Sequence, residues 1–103
     1  MVAVWSKPAL ESLSEVLDYT YETFGKKQVP IISDKIAKTV GRLQMFPLSS
    51  AVIPRIEGRN LRMAVVVSTL KILYEVKRDT ILIHFIWNSN MDIDSVLDRI
   101  SIT

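Results

Sequence analysis

The feature that most constrains the fold of this chain is a change in the spacing of its apolar residues. In the first 45 residues, apolar side chains recur every three or four positions, which is the period of an amphipathic α-helix. Between residues 61 and 87 the period falls to two, and Val, Ile, Leu and aromatic residues predominate, as in β-strands. A chain of 103 residues is long enough for one hydrophobic core. We therefore predict a single α+β domain over residues 1–103, with helices before the main sheet.

The first half is predicted to be a short strand followed by two helices. Residues 2–5 read as the strand, and Ser6 can cap the first helix. Gly25 ends that helix, and a second helical pattern with Pro30 in its first turn predicts an antiparallel helical hairpin. The stripes expected to face the sheet are Leu10, Leu13, Leu17, Tyr21 and Phe24 in the first helix and Val29, Ile32, Ile36, Val40 and Leu43 in the second.

The second half is predicted to be an antiparallel meander. An irregular connection over 46–60 leads to three strands and a short C-terminal helix, which gives the order β-α-α-β-β-β-α. The predicted ranges are 61–67, 70–76 and 80–87 for the strands, with two-residue turns at 68–69 and 78–79, and 92–100 for the helix.

Strict alternation along these strands assigns each side chain to one face of the sheet. One face is predicted to pack on the helical hairpin, and the other carries Arg62, Lys71, Glu75 and His84 among apolar neighbours. The predicted hairpin-facing residues are Leu61, Met63, Val65, Val67, Leu70, Ile72, Tyr74, Val76, Ile81, Ile83, Phe85 and Trp87.

Composition excludes several classes of function. The chain has no cysteine and a single histidine, His84, so we expect neither a disulfide scaffold nor a metal site. The three glycines lie too far apart for a phosphate-binding loop, and no cofactor is expected. The longest apolar run, residues 81–87, is far shorter than the roughly 20 residues that span a membrane as a helix. Residues 2–5 lack the basic segment of a signal peptide, so we expect a cytoplasmic protein with no membrane partner.

Charge is unevenly distributed along the chain. The net charge is +2, but residues 46–78 contain six basic and two acidic side chains, whereas residues 79–103 contain one basic and four acidic. A local excess of basic side chains is typical of a surface that binds phosphates or an acidic protein. Arg55, Arg59 and Arg62, which lie beside Pro54 and Gly58, form the cluster that we predict to bind a target.

Four segments in register with the predicted elements also carry a family resemblance. They are Val4-Trp5-Ser6-Lys7-Pro8-Ala9-Leu10 with Leu17-Asp18-Tyr19, then Phe46-Pro47-Leu48-Ser49, Gly58-Arg59-Asn60-Leu61-Arg62 and Lys71-Ile72-Leu73-Tyr74-Glu75-Val76. Together they resemble the RelE/ParE superfamily of bacterial toxins, which includes plasmid stabilisation proteins. The resemblance implies a growth-inhibiting toxin of a type II toxin–antitoxin module, held inactive in a hetero-oligomer by a cognate antitoxin. It also implies one of two targets, since ParE-like members inhibit DNA gyrase and RelE-like members cut mRNA on the ribosome.

A metal-independent ribonuclease would need a base, an acid and cations that stabilise the transition state. Arg62 and Lys71 match the basic strand positions of RelE-like toxins. His84 is a candidate only because it lies on the same predicted face, and Glu57 or Glu75 is a candidate base.

The end of the last strand departs from the RelE-like pattern. Residues 87–91 read Trp-Asn-Ser-Asn-Met, where many RelE-like relatives have an arginine or a terminal tyrosine. The missing cation and the small net charge favour ParE-like gyrase inhibition, in which Arg55, Arg59 and Arg62 bind the target. The alternatives are a ribosome-dependent mRNA endoribonuclease and a non-toxic interaction domain that retains the antitoxin-binding fold.

Purely structural roles are also open to these residues. With a two-residue turn at 68–69, Arg62 would lie opposite Glu75 and form a cross-strand ion pair. His84 would lie opposite Leu73 and pack among apolar neighbours.

Overall fold

The computed structural model describes residues 1–53 and 60–100. The order of elements confirms the predicted α+β fold, and each boundary lies close to the predicted one. None of the helices in these residues is long and apolar enough to cross a membrane. The elements are β1 Val2–Trp5, α1 Lys7–Phe24, α2 Gln28–Met45, β2 Arg62–Val67, β3 Leu70–Lys77, β4 Thr80–Asn88 and α3 Ile93–Ile100.

The four strands form one sheet in the order β1-β4-β3-β2. The last three strands form the predicted antiparallel meander. The first strand joins the sheet in parallel with β4, so the sheet as a whole is mixed. Because β1 pairs only with residues 80–83, the second half of β4 lies at the edge of the sheet, where α1 covers it.

The ends of the helical hairpin follow the local signals in the sequence. Ser6 Oγ accepts a hydrogen bond from the Ala9 N–H at 3.2 Å and caps α1. Gly25 follows α1 with φ +91°, a conformation that L side chains rarely adopt. In α2, the buried face includes Ile36, Val40 and Leu43, as predicted.

The predicted apolar stripe of α1 is correct only in part, since Leu13 packs against the core but Leu10, Tyr21 and Phe24 are exposed. The residues that α1 buries are Ala9, Ser12 and Thr20, whereas Leu10 is 54% exposed and Phe24 is more exposed still. Small side chains on the buried face let the helix lie close to the sheet, and the two buried hydroxyls donate hydrogen bonds to carbonyls within α1. The apolar period therefore predicted the helix correctly, but it predicted only part of the buried face.

A β-bulge in β2 overturns the predicted face assignment of that strand. Val67 pairs with Leu70 across the predicted two-residue turn, but Val65 then pairs with Lys71, which leaves Val66 as the extra residue. Every earlier residue of β2 is thereby shifted by one position, and a shift of one exchanges the two faces. Leu61 and Met63 consequently lie on the face opposite the hairpin, and Ala64 lies on the hairpin side.

A second bulge has the same effect in β4. The pairs from Lys77 with Thr80 to Tyr74 with Ile83 follow the predicted register, but Leu73 pairs with Phe85 and not with His84. Phe85 and Trp87 are therefore on the face opposite the hairpin, contrary to the prediction.

The sheet supports a core on each face. The larger cluster lies between the sheet and the helical hairpin, and its buried members include Ile36, Leu43, Ile72, Tyr74 and Ile83. The smaller cluster lies on the opposite face, where α3 covers it; its members are Leu61, Leu73, Phe85, Val96 and Ile100.

Candidate functional site

Arg62 lies on the hairpin side of the sheet, at the start of the edge strand β2. Its cross-strand partner is the buried Tyr74, and the predicted ion pair with Glu75 is wrong because the bulge in β2 shifts the register. The Arg62 Nη1 group donates a hydrogen bond of 2.6 Å to the Ser50 carbonyl, and a second of 3.5 Å to the Leu48 carbonyl. Arg62 thus holds the backbone of the chain that connects α2 to β2.

Hydrogen bonds attach this connection to the rest of the fold along its described length. The Tyr74 hydroxyl donates a hydrogen bond of 2.8 Å to the Pro47 carbonyl, and Ser49 Oγ donates one of 2.7 Å to the Phe46 carbonyl. Val52 then forms an isolated β-bridge with Arg62. The backbone between α2 and residue 53 is therefore ordered by specific hydrogen bonds.

Lys71 lies on the opposite face of the sheet. Its ammonium nitrogen is 5.2 Å from the centre of the Trp87 ring, in a cation–π contact between cross-strand partners. The Trp87 indole N–H donates a hydrogen bond of 3.0 Å to the Met91 carbonyl, which fixes the ring that Lys71 covers.

His84 and Glu75 form a buried pair on the same face as Lys71. His84 is the extra residue of the bulge in β4, and its Nε2 lies 2.6 Å from Glu75 Oε1. Each residue is only 7% exposed. A separation this short is that of a hydrogen bond, in which one proton lies between the imidazole nitrogen and the carboxylate oxygen. The pair holds both side chains in a fixed orientation.

The predicted site residues are therefore divided between the two faces of the sheet. Lys71, Glu75 and His84 share the face opposite the hairpin, whereas Arg62 lies on the hairpin side. Arg55, Glu57 and Arg59 lie outside the described residues, so their predicted roles stay predictions. Within the described ranges, no three His, Asp or Glu side chains are grouped as metal ligands would be.

One surface was missed from the sequence. Met45, Phe46 and Leu48 are 73%, 59% and 66% exposed, although all three are large and apolar. The run Met45-Phe46-Pro47-Leu48 at the end of the second helical pattern was a signal for it, because apolar side chains beside a proline in a connection have no helical face to join.

Comparison with known proteins decides the family. Residues 3–93 match the family model described as ParE toxin of type II toxin-antitoxin system, parDE. The chain belongs to the ParE toxin family. This family lies within the RelE/ParE superfamily, so the resemblance seen in the sequence is confirmed.

A solved structure supports the fold of this ParE-family chain. The structure titled "Chromosomal ParDE TA system from P. aeruginosa" superposes with a TM-score of 0.70 at 21% sequence identity, over 85% of this chain and 95% of that one. No curated protein matched the sequence.

Proposed function

We propose that this protein is the toxin of a type II toxin–antitoxin module, that a cognate antitoxin neutralises it in a hetero-oligomer, and that the free toxin inhibits DNA gyrase by binding to it. The observation that carries the proposal is the ParE family match over residues 3–93. Gyrase acts in the bacterial cytoplasm, so the proposal places the toxin there.

The arrangement of the basic residues supports binding over RNA cleavage. Cleavage without a metal requires a base and cations that converge on one phosphate. Arg62 instead holds the backbone at Ser50, on the face of the sheet away from Lys71. The buried His84 is occupied by Glu75, and Lys71 covers Trp87. Each of these three side chains therefore has a structural contact within the fold.

The second candidate function is a ribosome-dependent mRNA endoribonuclease. The observation in its favour is that Lys71, Glu75 and His84 share one face of the sheet, where they supply a cation, a carboxylate and an imidazole. In this alternative Glu75 takes the proton of the ribose 2′-hydroxyl, His84 protonates the leaving 5′-oxygen, and Lys71 binds the phosphate.

The proposed function is tested with the free toxin in two assays. Purified gyrase is assayed for DNA supercoiling, and mRNA is mapped for cuts after induced expression in a bacterial host. We expect the wild type to inhibit supercoiling and leave mRNA intact. If the wild type cuts mRNA and the Lys71→Ala variant does not, the ribonuclease function would replace the gyrase proposal. Soluble toxin that inhibits neither process and permits growth would indicate a non-toxic interaction domain.

The target-binding residues are tested in the same supercoiling assay. We propose that Arg55 and Arg59 contact gyrase, and we expect Arg55→Ala with Arg59→Ala to raise the inhibitory concentration by about tenfold or more through the loss of two charges. Lys38→Ala is the matched control because Lys38 is exposed on α2 and pairs only with Asp34 among the described residues, at 3.0 Å. An equal effect of the control would contradict a specific role for the two arginines.

A further inference from the structure

The segment between α2 and the bridge of Val52 exposes apolar surface that the fold does not bury. We name residues 45–52 the exposed turn. Four of its eight residues are large or branched apolar side chains with exposed surface: Met45, Phe46, Leu48 and Val52. Residues 45–49 line a shallow depression of about 370 Å³. Contiguous exposed apolar surface of this kind is unfavourable in water and is typical of a site that a partner covers.

Hydrogen bonds from side chains of the sheet also hold the exposed turn in one conformation. Tyr74 is fully buried, yet its hydroxyl reaches the Pro47 carbonyl at 2.8 Å. Its cross-strand partner Arg62 reaches the Ser50 carbonyl at 2.6 Å. These two anchors fix the backbone on either side of Leu48. A surface that is ordered before it binds loses less conformational entropy on binding, which increases affinity.

Charge around the exposed turn indicates the chemistry of the partner. Residues 34–53 include three basic side chains, Lys35, Lys38 and Arg42, and one acidic side chain, Asp34, which pairs with Lys38 at 3.0 Å. Arg42 is exposed and lies one helical turn before Phe46, whose N–H donates a hydrogen bond of 2.8 Å to the Arg42 carbonyl. Within the described ranges, the Arg42 side chain forms no ion pair. A partner surface that is complementary to the exposed turn and Arg42 therefore carries apolar side chains with a carboxylate beside them.

We propose that the exposed turn binds a segment of the cognate antitoxin, which places apolar side chains over Phe46 and Leu48 and a carboxylate against Arg42. The antitoxin covers the exposed apolar surface and contacts a backbone that Arg62 and Tyr74 have already ordered. This inference rests on the antitoxin part of the proposed function and is independent of the target.

The test is calorimetric titration of the purified cognate antitoxin into free toxin. Phe46→Ser with Leu48→Ser is expected to raise the Kd by about 30-fold or more, because both apolar contacts are lost. Arg42→Glu is expected to raise the Kd by about tenfold and to weaken its dependence on salt. Leu10→Ser is the matched control because Leu10 is similarly exposed on α1, and it is expected to leave the Kd unchanged. Thermal unfolding of each variant verifies that the fold is retained.

Some other outcomes would overturn the inference, and others would distinguish its failure from a failure of the proposed function. An unchanged Kd with loss of gyrase inhibition would mean that the exposed turn binds the target. Self-association of the wild type that the double variant abolishes, with the Kd unchanged, would mean that a second copy covers it. A wild type that binds no antitoxin would overturn both proposals. A wild type without effect on gyrase, combined with the expected change in Kd, would remove only the proposed target and support the docking site.

Discussion

At the residue scale, Ser12 shows how one small polar side chain joins a helix to the sheet. Its hydroxyl donates a hydrogen bond of 2.8 Å to the Ala9 carbonyl and accepts one of 2.8 Å from the Ile86 N–H. Ile86 lies in the part of β4 that β1 does not reach, so its N–H has no strand partner on that side. Ser12 therefore satisfies a buried donor that the mixed sheet leaves at its edge.

We expect Ser12→Ala to lower the free energy of unfolding by about 1–3 kcal/mol, because the buried Ile86 N–H loses its acceptor. The measurement is chemical denaturation at neutral pH. Ser14→Ala is the control, since Ser14 is exposed on the same helix and its substitution should change stability by less than about 0.5 kcal/mol. Equal stability of the two variants would show that the hydrogen bond contributes nothing.

At the element scale, α3 is attached to α1 by a bidentate ion pair. Arg99 Nη1 and Nη2 lie 3.1 and 2.9 Å from the two carboxylate oxygens of Glu15. The Arg99 guanidinium also stacks on the Phe85 ring, with its carbon 4.8 Å from the ring centre. Hydrogen bonding to Arg99 lowers the pKa of Glu15, while burial opposes that change. The pair stabilises the position of α3 over the smaller core.

We expect Glu15→Gln to lower the free energy of unfolding by less than about 1 kcal/mol, because the ion pair is largely exposed to solvent. A lowered pKa in the folded state means that the ion pair stabilises the protein fully above the ordinary pKa of glutamate, about 4.3, and progressively less as the pH falls below it. The free energies of unfolding of the wild type and Glu15→Gln should therefore differ at neutral pH and become equal in acid.

The control for this pH dependence is Glu22→Gln, an exposed residue of α1 that pairs with no other described residue. Glu22→Gln should not lower the free energy of unfolding at neutral pH. A difference between wild type and Glu15→Gln that persisted at low pH would mean that the variant acts through packing and not through the charge.

At the scale of the whole molecule, one sheet separates two apolar clusters. Ile36 of α2 is buried on the hairpin side, and Val96 of α3 is buried on the opposite side. The shared sheet couples the two clusters into one cooperative unit, because β3 contributes Ile72 to one and Leu73 to the other. Loss of packing on either side should therefore destabilise the entire fold.

We expect Ile36→Ala to cost about 2–5 kcal/mol and Val96→Ala about 1–3 kcal/mol, from lost burial and the cavity left behind. Because the side chains lie in separate clusters, the double variant should equal the sum to within about 0.5 kcal/mol. Denaturation followed by fluorescence and by circular dichroism should show one transition. Two separate transitions would contradict a single cooperative unit.

Local sequence signals determined the elements of this protein. Apolar period, Ser6 as cap, Gly25 as helix stop and two-residue turns act within a few neighbouring positions, and the predicted helices and strands are confirmed. The family resemblance was readable for the same reason, since its motifs are short and lie in those elements.

Tertiary structure decided which faces those elements present to one another. A bulge at Val66 moved Arg62 from the predicted Glu75 to Tyr74, and a bulge at His84 moved Phe85 and Trp87 to the face opposite the hairpin. In α1, close packing on the sheet buried Ser12 and left Leu10 in solvent. Strand register and helix rotation depend on contacts between residues distant in the chain, and a one-residue shift changes every face while leaving the local apolar period intact.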